Sequence, residues 1–396
     1  MKKNKGFIKG ALCGALAVLL VAGLVSCGSR LHKASAGKEE VVDSETEQKL
    51  EMLQQLIDGS YLGDVDEDAL QSGIYKGYIN GLADPYSVYY DKEETEQLLE
   101  TTSGEYSGIG AVLSQNRETG IITILQVYDD SPAQKAGIKD DDILYKVEGE
   151  EVTGVDLTEV VSNIKGEEGT EVKMTVLRGD ANDEVEVTAV RGKVEAQTVK
   201  YEMKDGDVGY IRVSEFDSVT YDQYKAAIED LESQGMKGLI VDLRNNPGGN
   251  LATVCDMLDL MLPEGLIVYT EDKDGNRSEE TSDEEHQFKL PMTVLVNGNS
   301  ASASEIYAGA IQDYGLGEII GTQTYGKGVV QQLVDLQDGT CLKLTVSQYY
   351  TPKGRSINGV GIEPDEIVEY EENKEDPNAE ADNQLDKALE VIKGNM

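Results

Sequence analysis

The sequence predicts an α/β core that carries an inserted β-rich domain and follows a helical arm. Two observations define the core. Gly238–Arg244 (GLIVDLR) is a continuous apolar run that ends in the tight turn NNPGGN and continues as LATVCDMLDLML. This is the pattern of a strand covered on both faces and followed by a helix. MTVLVNG then leads through NSASAS into the apolar EIYAGAI, the same strand–turn–helix order. A third observation defines the insert: residues 104–190 break into short β-like runs separated by turn signals.

Composition narrows the function. The 396 residues suffice for two or three domains with a large core. Formal net charge is −40, and the first thirty residues hold five basic side chains and no acid, so the body is more acidic still. Such a surface repels phosphate backbones, which argues against nucleic acid as a partner. Only two histidines occur. His32 follows the N-terminal apolar segment, and His286 lies in EDKDGNRSEETSDEEHQ, which reads as a solvated acidic loop. A Ser-His-Asp triad and a His-based zinc site are poorly supported, and no metal or cofactor is required. Cys255 and Cys341, the two cysteines of the body, read as buried free thiols because no CxxC spacing exists.

Residues 1–29 read as a leader. Gly10–Val25 is apolar and would span about 24 Å as a helix, short for a membrane span and right for a signal-peptide core. Leu24-Val25-Ser26-Cys27-Gly28 resembles the bacterial lipobox, with Cys27 as the lipidation candidate; the alternative is an uncleaved anchor. Both readings attach the protein to the cell membrane and put its body outside the cytoplasm, at a bacterial surface or envelope, because the lysines stay inside. Residues 30–42 form a polar linker. Residues 43–103 form the arm, where Leu50, Leu53, Leu56 and Ile57 fall at helical spacing. Leu70–Leu82 and Glu93–Leu99 also look helical, with ADPYSVYY as the turn between them. An apolar stripe of this kind must be buried in its own chain or in a second subunit.

In the insert, GIGAVLS, GIITILQVY, DILYKVEGEEV, EVKMTVLRG and EVEVTAV read as strands and Asp156–Ile164 as a helix. Residues 191–370 form the core. DVGYIRVSEF, GEIIG and CLKLTVSQYY are its further strands, and Tyr221–Gln234 is a helix. Residues 371–396 are a tail, with helical spacing from Asp376 to Lys393.

The chemistry gathers at two turns. Strand–DLRNNPGG–helix puts Gly248 and Gly249 where a strand ends and a helix begins, the place where ligands collect in α/β sheets. Amides there can hold developing negative charge, so both glycines are oxyanion-hole candidates. The second turn offers Ser300, Ser302 and Ser304 at a helix start, where a serine is more often a cap than a nucleophile; Glu305 is placed to help cap it. Lys327 lies in TYGKGVVQQ, with no carboxylate between Tyr325 and Val334 to hold its charge. Beside Val329 and Val330 its pKa should be depressed, and a neutral lysine can take a serine's proton. Gln331 reaches the Lys327 amine if this segment is helical. If it is extended, the two sit roughly 13 Å apart.

Ser107-Gly108-Ile109-Gly110-Ala111-Val112, followed by Ser131-Pro132-Ala133, Ala136-Gly137-Ile138 and Asp142-Ile143, resembles a PDZ domain of the bacterial protease-associated type. The resemblance implies that the amides of the Gly108, Ile109, Gly110 loop meet a peptide's terminal carboxylate while the peptide adds as a strand. Together with VDLRNNPGG, SASASEIxAGAxQD, GxxTxGKGxxQ and TPxGxxIxGxGIxPD, the chain resembles the C-terminal processing (tail-specific) peptidases. The resemblance implies a ClpP/crotonase-like βα core and a serine endopeptidase acting on proteins with accessible C-termini. It implies Ser302 as nucleophile, Lys327 as base, Gln331 as the residue positioning Lys327, and the amides of Gly248 and Ala303 as oxyanion hole. It also implies assembly as a homodimer through the terminal helices and a PDZ movement that switches the site. The rival expectation is an inactive scaffold that binds C-termini through the PDZ domain.

Overall fold

The computed structural model describes residues 40–179, 181–283, 285–371 and 382–396. The leader with Cys27 and most of the linker lie outside the described residues.

Asp43 caps helix α1 (Ser44–Ser60) by accepting from the Thr46 amide at 2.9 Å. Leu50, Leu53 and Leu56 form its apolar stripe, and all three are exposed. Helix α2 (Glu67–Asn80) follows. The segment ADPYSVYY does more than turn. Its Val88–Tyr90 is a strand, β1, paired antiparallel with Cys341–Tyr350 far along the chain. A three-residue strand whose partner is so distant leaves no local periodicity to read. Helix α3 (Lys92–Ser103) opens on a capping box between Asp91 and Glu94 and stops at Gly104 in the left-handed region.

The insert begins at β2 (Glu105–Gly108). Its sheet runs β3 (Ala111–Gln115), β4 (Ile122–Val127), β5 (Ile143–Val147), β7 (Glu171–Arg178), β8 (Asp183–Val190), with β6 (Glu150–Glu151) hairpinned on β5. Helices α4 (Pro132–Lys135) and α5 (Leu157–Ile164) pack against it around Ile122, Ile124, Leu144, Val160, Val172 and Val176. The chain leaves through β9 (Gly192–Glu195), which pairs antiparallel with β2. Entry and exit thus form one ribbon, as an insertion between two points of a scaffold requires. β3 ends the sheet, so its outer edge has no strand partner among the described residues.

In the core, β10 (Val199–Lys204), β11 (Val208–Val213), β12 (Gly238–Asp242), β15 (Met292–Val296), β16 (Gly317–Gly321) and β19 (Glu366–Ile367) form one sheet in that order, parallel from β11 onward. Helices α6 (Thr220–Ser233), α7 (Leu251–Asp259) and α8 (Ala303–Tyr314) share a core with Leu239 and Val241. Ile240, pointing the other way, packs with Ala388 and Ile392 of α9 (Asn383–Asn395). This two-faced burial explains why β12 reads as an unbroken apolar run.

A second sheet holds β1, β18 (Cys341–Tyr350), β13 (Gly265–Asp272) and β14 (Arg277–Ser282), with β17 (Val329–Asp335) also on β18. Here the acidic run read as a loop is corrected. Glu271–Asp272 ends β13, and Arg277–Ser282 returns as β14. The Asp272 carboxylate, accepting from the Asp274 and Asn276 amides, ties the turn. Pairing of β13 with β18 supplies an order that the charge pattern hides. Cys255 and Cys341 are buried free thiols.

Candidate active site

Three serines compete at the turn after β15, and their hydrogen bonds separate them. Ser300 is fully buried; its hydroxyl donates to Leu243 O at 2.8 Å and accepts from Asn297 N at 2.9 Å. Ser304 is fully buried too and donates to Asn246 O at 2.9 Å. Both hydroxyls stitch the serine turn to the neighbouring DLRNNPGG segment. Ser302 alone lines the adjoining cavity of about 410 Å³. It sits at φ 55°, ψ −114°, a conformation that costs a non-glycine residue on the order of 1–3 kcal/mol and persists only where the surroundings impose it.

Glu305 imposes it. This carboxylate is fully buried yet accepts four hydrogen bonds. One oxygen takes Ser302 N at 2.8 Å and Lys327 N at 2.9 Å. The other takes Thr324 Oγ1 at 2.6 Å and Gly326 N at 2.7 Å. The capping residue of the serine turn is therefore also the clamp on the lysine loop. The sequence signal was a glutamate three positions after Ser302, legible as a cap. Its reach to residue 327 was not legible.

Lys327 is half-buried, with its ammonium 5.0 Å from the centre of the Tyr86 ring. Burial and then the neighbouring Lys343 push its pKa below the usual lysine value, while Glu305 and Asp84 oppose that shift. The depressed pKa expected from sequence is thus present, but not in acid-free surroundings: the carboxylates arrive from distant segments. No hydrogen bond joins Lys327 to Ser302 or to Gln331 among the described residues. Gln331 lies in β17, the extended alternative, next to a register shift between Val330 and Gln331. Its amide donates to Thr345 Oγ1 at 3.3 Å and Val329 O at 3.4 Å. The Tyr349 hydroxyl donates to Lys327 O, and Tyr349 lines the same cavity as Ser302.

The glycine turn packs directly on this serine. Gly248 has φ 107°, and a Cβ there would meet Ser302 Cβ at 2.8 Å and Ala303 N at 3.0 Å, so only glycine fits. The Gly248 amide itself donates to Asn246 Oδ1 at 2.8 Å. The Ala303 and Gly249 amides donate to no group among the described residues. Of the expected oxyanion pair, the Ala303 amide stands free and the Gly248 amide is engaged.

Gly110 has φ 76°, and a Cβ there would lie 2.6 Å from Ser131 Cβ. Ile109 O accepts from Ala133 N at 2.7 Å and Gly110 O from Tyr128 N at 3.0 Å. The Ile109 and Gly110 carbonyls thus face inward, and the amides of the same two residues donate to nothing among the described residues. Asp259, Asp283 and His286 bring ligand atoms within 4.8 Å of one another at a largely exposed corner; nothing else there points to an ion.

Peptidase family S41 matches residues 207–368, a PDZ domain matches residues 123–178, and the N-terminal domain of the activating protease CtpB matches residues 23–94. The carboxy-terminal-processing protease of Bartonella bacilliformis is 38% identical over 305 residues, covering 74% of this chain and 68% of that one. This chain belongs to the carboxy-terminal processing peptidases. These are serine-protease hydrolases of family S41, and the expected α/β core with inserted PDZ domain and helical arm is their architecture. The carboxy-terminal processing protease CtpA of Bacillus subtilis is 36% identical over 335 residues, covering 84% of this peptidase and 71% of CtpA. The chain spans about two thirds of the length of the relatives it matches. A solved S41 protease structure from Bacteroides fragilis shares the fold, with a TM-score of 0.53 at 17% identity over 91% of this peptidase and all of that chain.

Proposed function

We propose that this peptidase is a membrane-anchored, extracytoplasmic serine endopeptidase that captures protein C-terminal tails through its PDZ domain and cleaves them with Ser302 and Lys327. One observation carries the reading: Ser302 is the serine of its turn that lines the cavity, and a single buried carboxylate ties it to the loop of a half-buried, pKa-depressed lysine.

Ser302 Oγ attacks the scissile carbonyl as neutral Lys327 Nζ takes its proton. The oxyanion meets the Ala303 amide, and the Gly248 amide joins on release from Asn246. Lys327 returns the proton to the leaving amine, then activates the water that resolves the acyl-enzyme. In the reactive arrangement Lys327 turns from Tyr86 to Ser302 and Gln331 turns from Thr345 to Lys327. Catalytic hydrogen bonds often close only around substrate, and a tail held by the PDZ domain is the trigger that this architecture offers. The free edge of β3 and the unspent Ile109 and Gly110 amides suit a strand-like peptide ending in a carboxylate. Residues 1–29 anchor the peptidase, and the exposed stripe of α1 pairs two copies.

The test compares the 31–396 fragment with its Ser302→Ala and Lys327→Ala variants on an unstructured substrate ending in small apolar residues. Cleavage by the parent alone supports the reading. Equal cleavage by parent and Ser302→Ala sinks the mechanism, and tail binding without cleavage by all three favours the scaffold.

A further inference from the structure

The substrate cleft contains an acid that the peptide-bond chemistry does not use. Phe216 is fully buried and fixed to the glycine turn: its amide donates to Gly248 O at 3.0 Å, and its carbonyl accepts from Asn250 N at 2.7 Å. Its neighbours on both sides, Glu215 and Asp217, line the same cavity as Ser302. Asp217 is only 7% exposed, and its carboxylate has no hydrogen-bond partner among the described residues. The Thr253 hydroxyl, 3.2 Å away, donates to the Asp217 backbone carbonyl and leaves the side chain unanswered. A largely buried carboxylate with no protein partner is costly in a folded chain. Burial, then Glu215, push its pKa up to about 7.

We propose that Asp217, with Glu215 beside it, sets substrate specificity by accepting a lysine or arginine side chain of the substrate close to the scissile bond. The inference rests on the reading of Ser302 as nucleophile and names a substrate class for that site. The position follows from the hydrogen bonds: a chain whose carbonyl lies at Ser302 and the glycine turn runs past the segment that is bonded to that turn. The sign follows from the surroundings. α3 contributes Leu98, Thr101 and Thr102 to the cavity and α7 contributes Leu251, none of them charged. The cations of the cavity, Lys327 and Lys343, come from the β17–β18 side and give Asp217 no hydrogen bond. A substrate cation is the partner that the Asp217 wall lacks, and pairing in a partly dehydrated cleft favours its binding.

Internally quenched peptides of one unstructured sequence, with a small apolar C-terminus, test this. Lysine is scanned one position at a time on both sides of the cleaved bond against norleucine, its neutral counterpart of similar shape. The readout is the lysine-to-norleucine ratio of kcat/KM within each enzyme, so a general loss in a variant cancels. The wild type is expected to prefer lysine by about tenfold at one position. In wild-type enzyme that ratio should rise from pH 6 to pH 8, as the carboxyl ionises, and fall with added salt. Asp217→Asn should bring it near one, and Glu215→Gln should lower it in part. A flat scan in the wild type, or an undiminished preference in Asp217→Asn, overturns the proposal while leaving Ser302 in place. If the wild type cuts none of the peptides, the reading of Ser302 falls and this one falls with it.

Discussion

Replacing Glu305 with glutamine tests the clamp with the least change of shape. The native carboxylate accepts from Ser302 N, Lys327 N, Thr324 Oγ1 and Gly326 N. A glutamine offers one carbonyl oxygen, which can serve two of these donors, and turns an NH₂ group toward the other two. Each hydrogen bond to a charged acceptor is worth about 1.5–3 kcal/mol, so losing two costs about 3–6 kcal/mol. With the NH₂ group facing Ser302 N and Lys327 N, those two amides come untied, and Ser302 loses what holds it at φ 55°. If half of the loss falls on that geometry, acylation slows by about 10- to 100-fold; the rest appears as a lower unfolding midpoint. The assay pairs the rate at which a fluorophosphonate probe labels Ser302 with thermal unfolding of the same preparation. Labelling at the wild-type rate in a protein that unfolds earlier would make Glu305 a fold clamp only and refute the positioning argument. Wild-type labelling and wild-type stability together would refute the hydrogen-bond accounting as well.

Further outcomes follow from neighbouring groups. Lys327 must be neutral to act, so kcat/KM should rise with pH along a limb below the ordinary lysine range. Lys343 is a like charge that lowers the Lys327 pKa, so Lys343→Gln should move that limb to higher pH; a pH profile that does not move counts against Lys327 as base. Ser304→Ala removes a buried donor to Asn246 O and should cost about 1–3 kcal/mol of stability while Ser302 remains reactive to the probe. Asp217 has its folded pKa raised to about 7, so its ionisation opposes folding. The cost is absent below the ordinary carboxylate value near 4, grows between about pH 4 and 7, and is constant above, reaching at most about 4 kcal/mol. Asp217→Asn should therefore unfold later than the wild type at pH 8 but not at pH 4, by thermal scans at both pH values. Gly110→Ala brings a Cβ to within 2.6 Å of Ser131 Cβ at a positive φ and should abolish binding of a C-terminal peptide, measured by fluorescence anisotropy, while a free-acid peptide binds the parent.

What could be read from the sequence depended on how local its cause was. β12 declared itself because burial on both faces makes every residue apolar, and Leu239, Ile240 and Val241 are each fully buried. Gly248 declared itself because no Cβ fits against Ser302. By contrast, β1 and the β13–β14 hairpin are set by pairing with β18, and a distant partner leaves no trace in three or six residues. The same holds within the site. The sequence held open whether Gln331 was helical or extended, and β18 decides it by pairing Gln331 with Thr345. The sequence held the charge state of Lys327 to be a property of Tyr325–Val334. Instead it is the balance of burial and Lys343 against Glu305 and Asp84, four influences that meet only in the fold. Asp217 is the sharpest case. Nothing in SEFDSVT singles Asp217 out, yet its carboxylate binds no backbone amide among the described residues, while the Thr220 hydroxyl accepts from the Asp217 amide at 3.0 Å. The helix start takes no side-chain cap, and the Asp217 carboxylate is left to face the cleft.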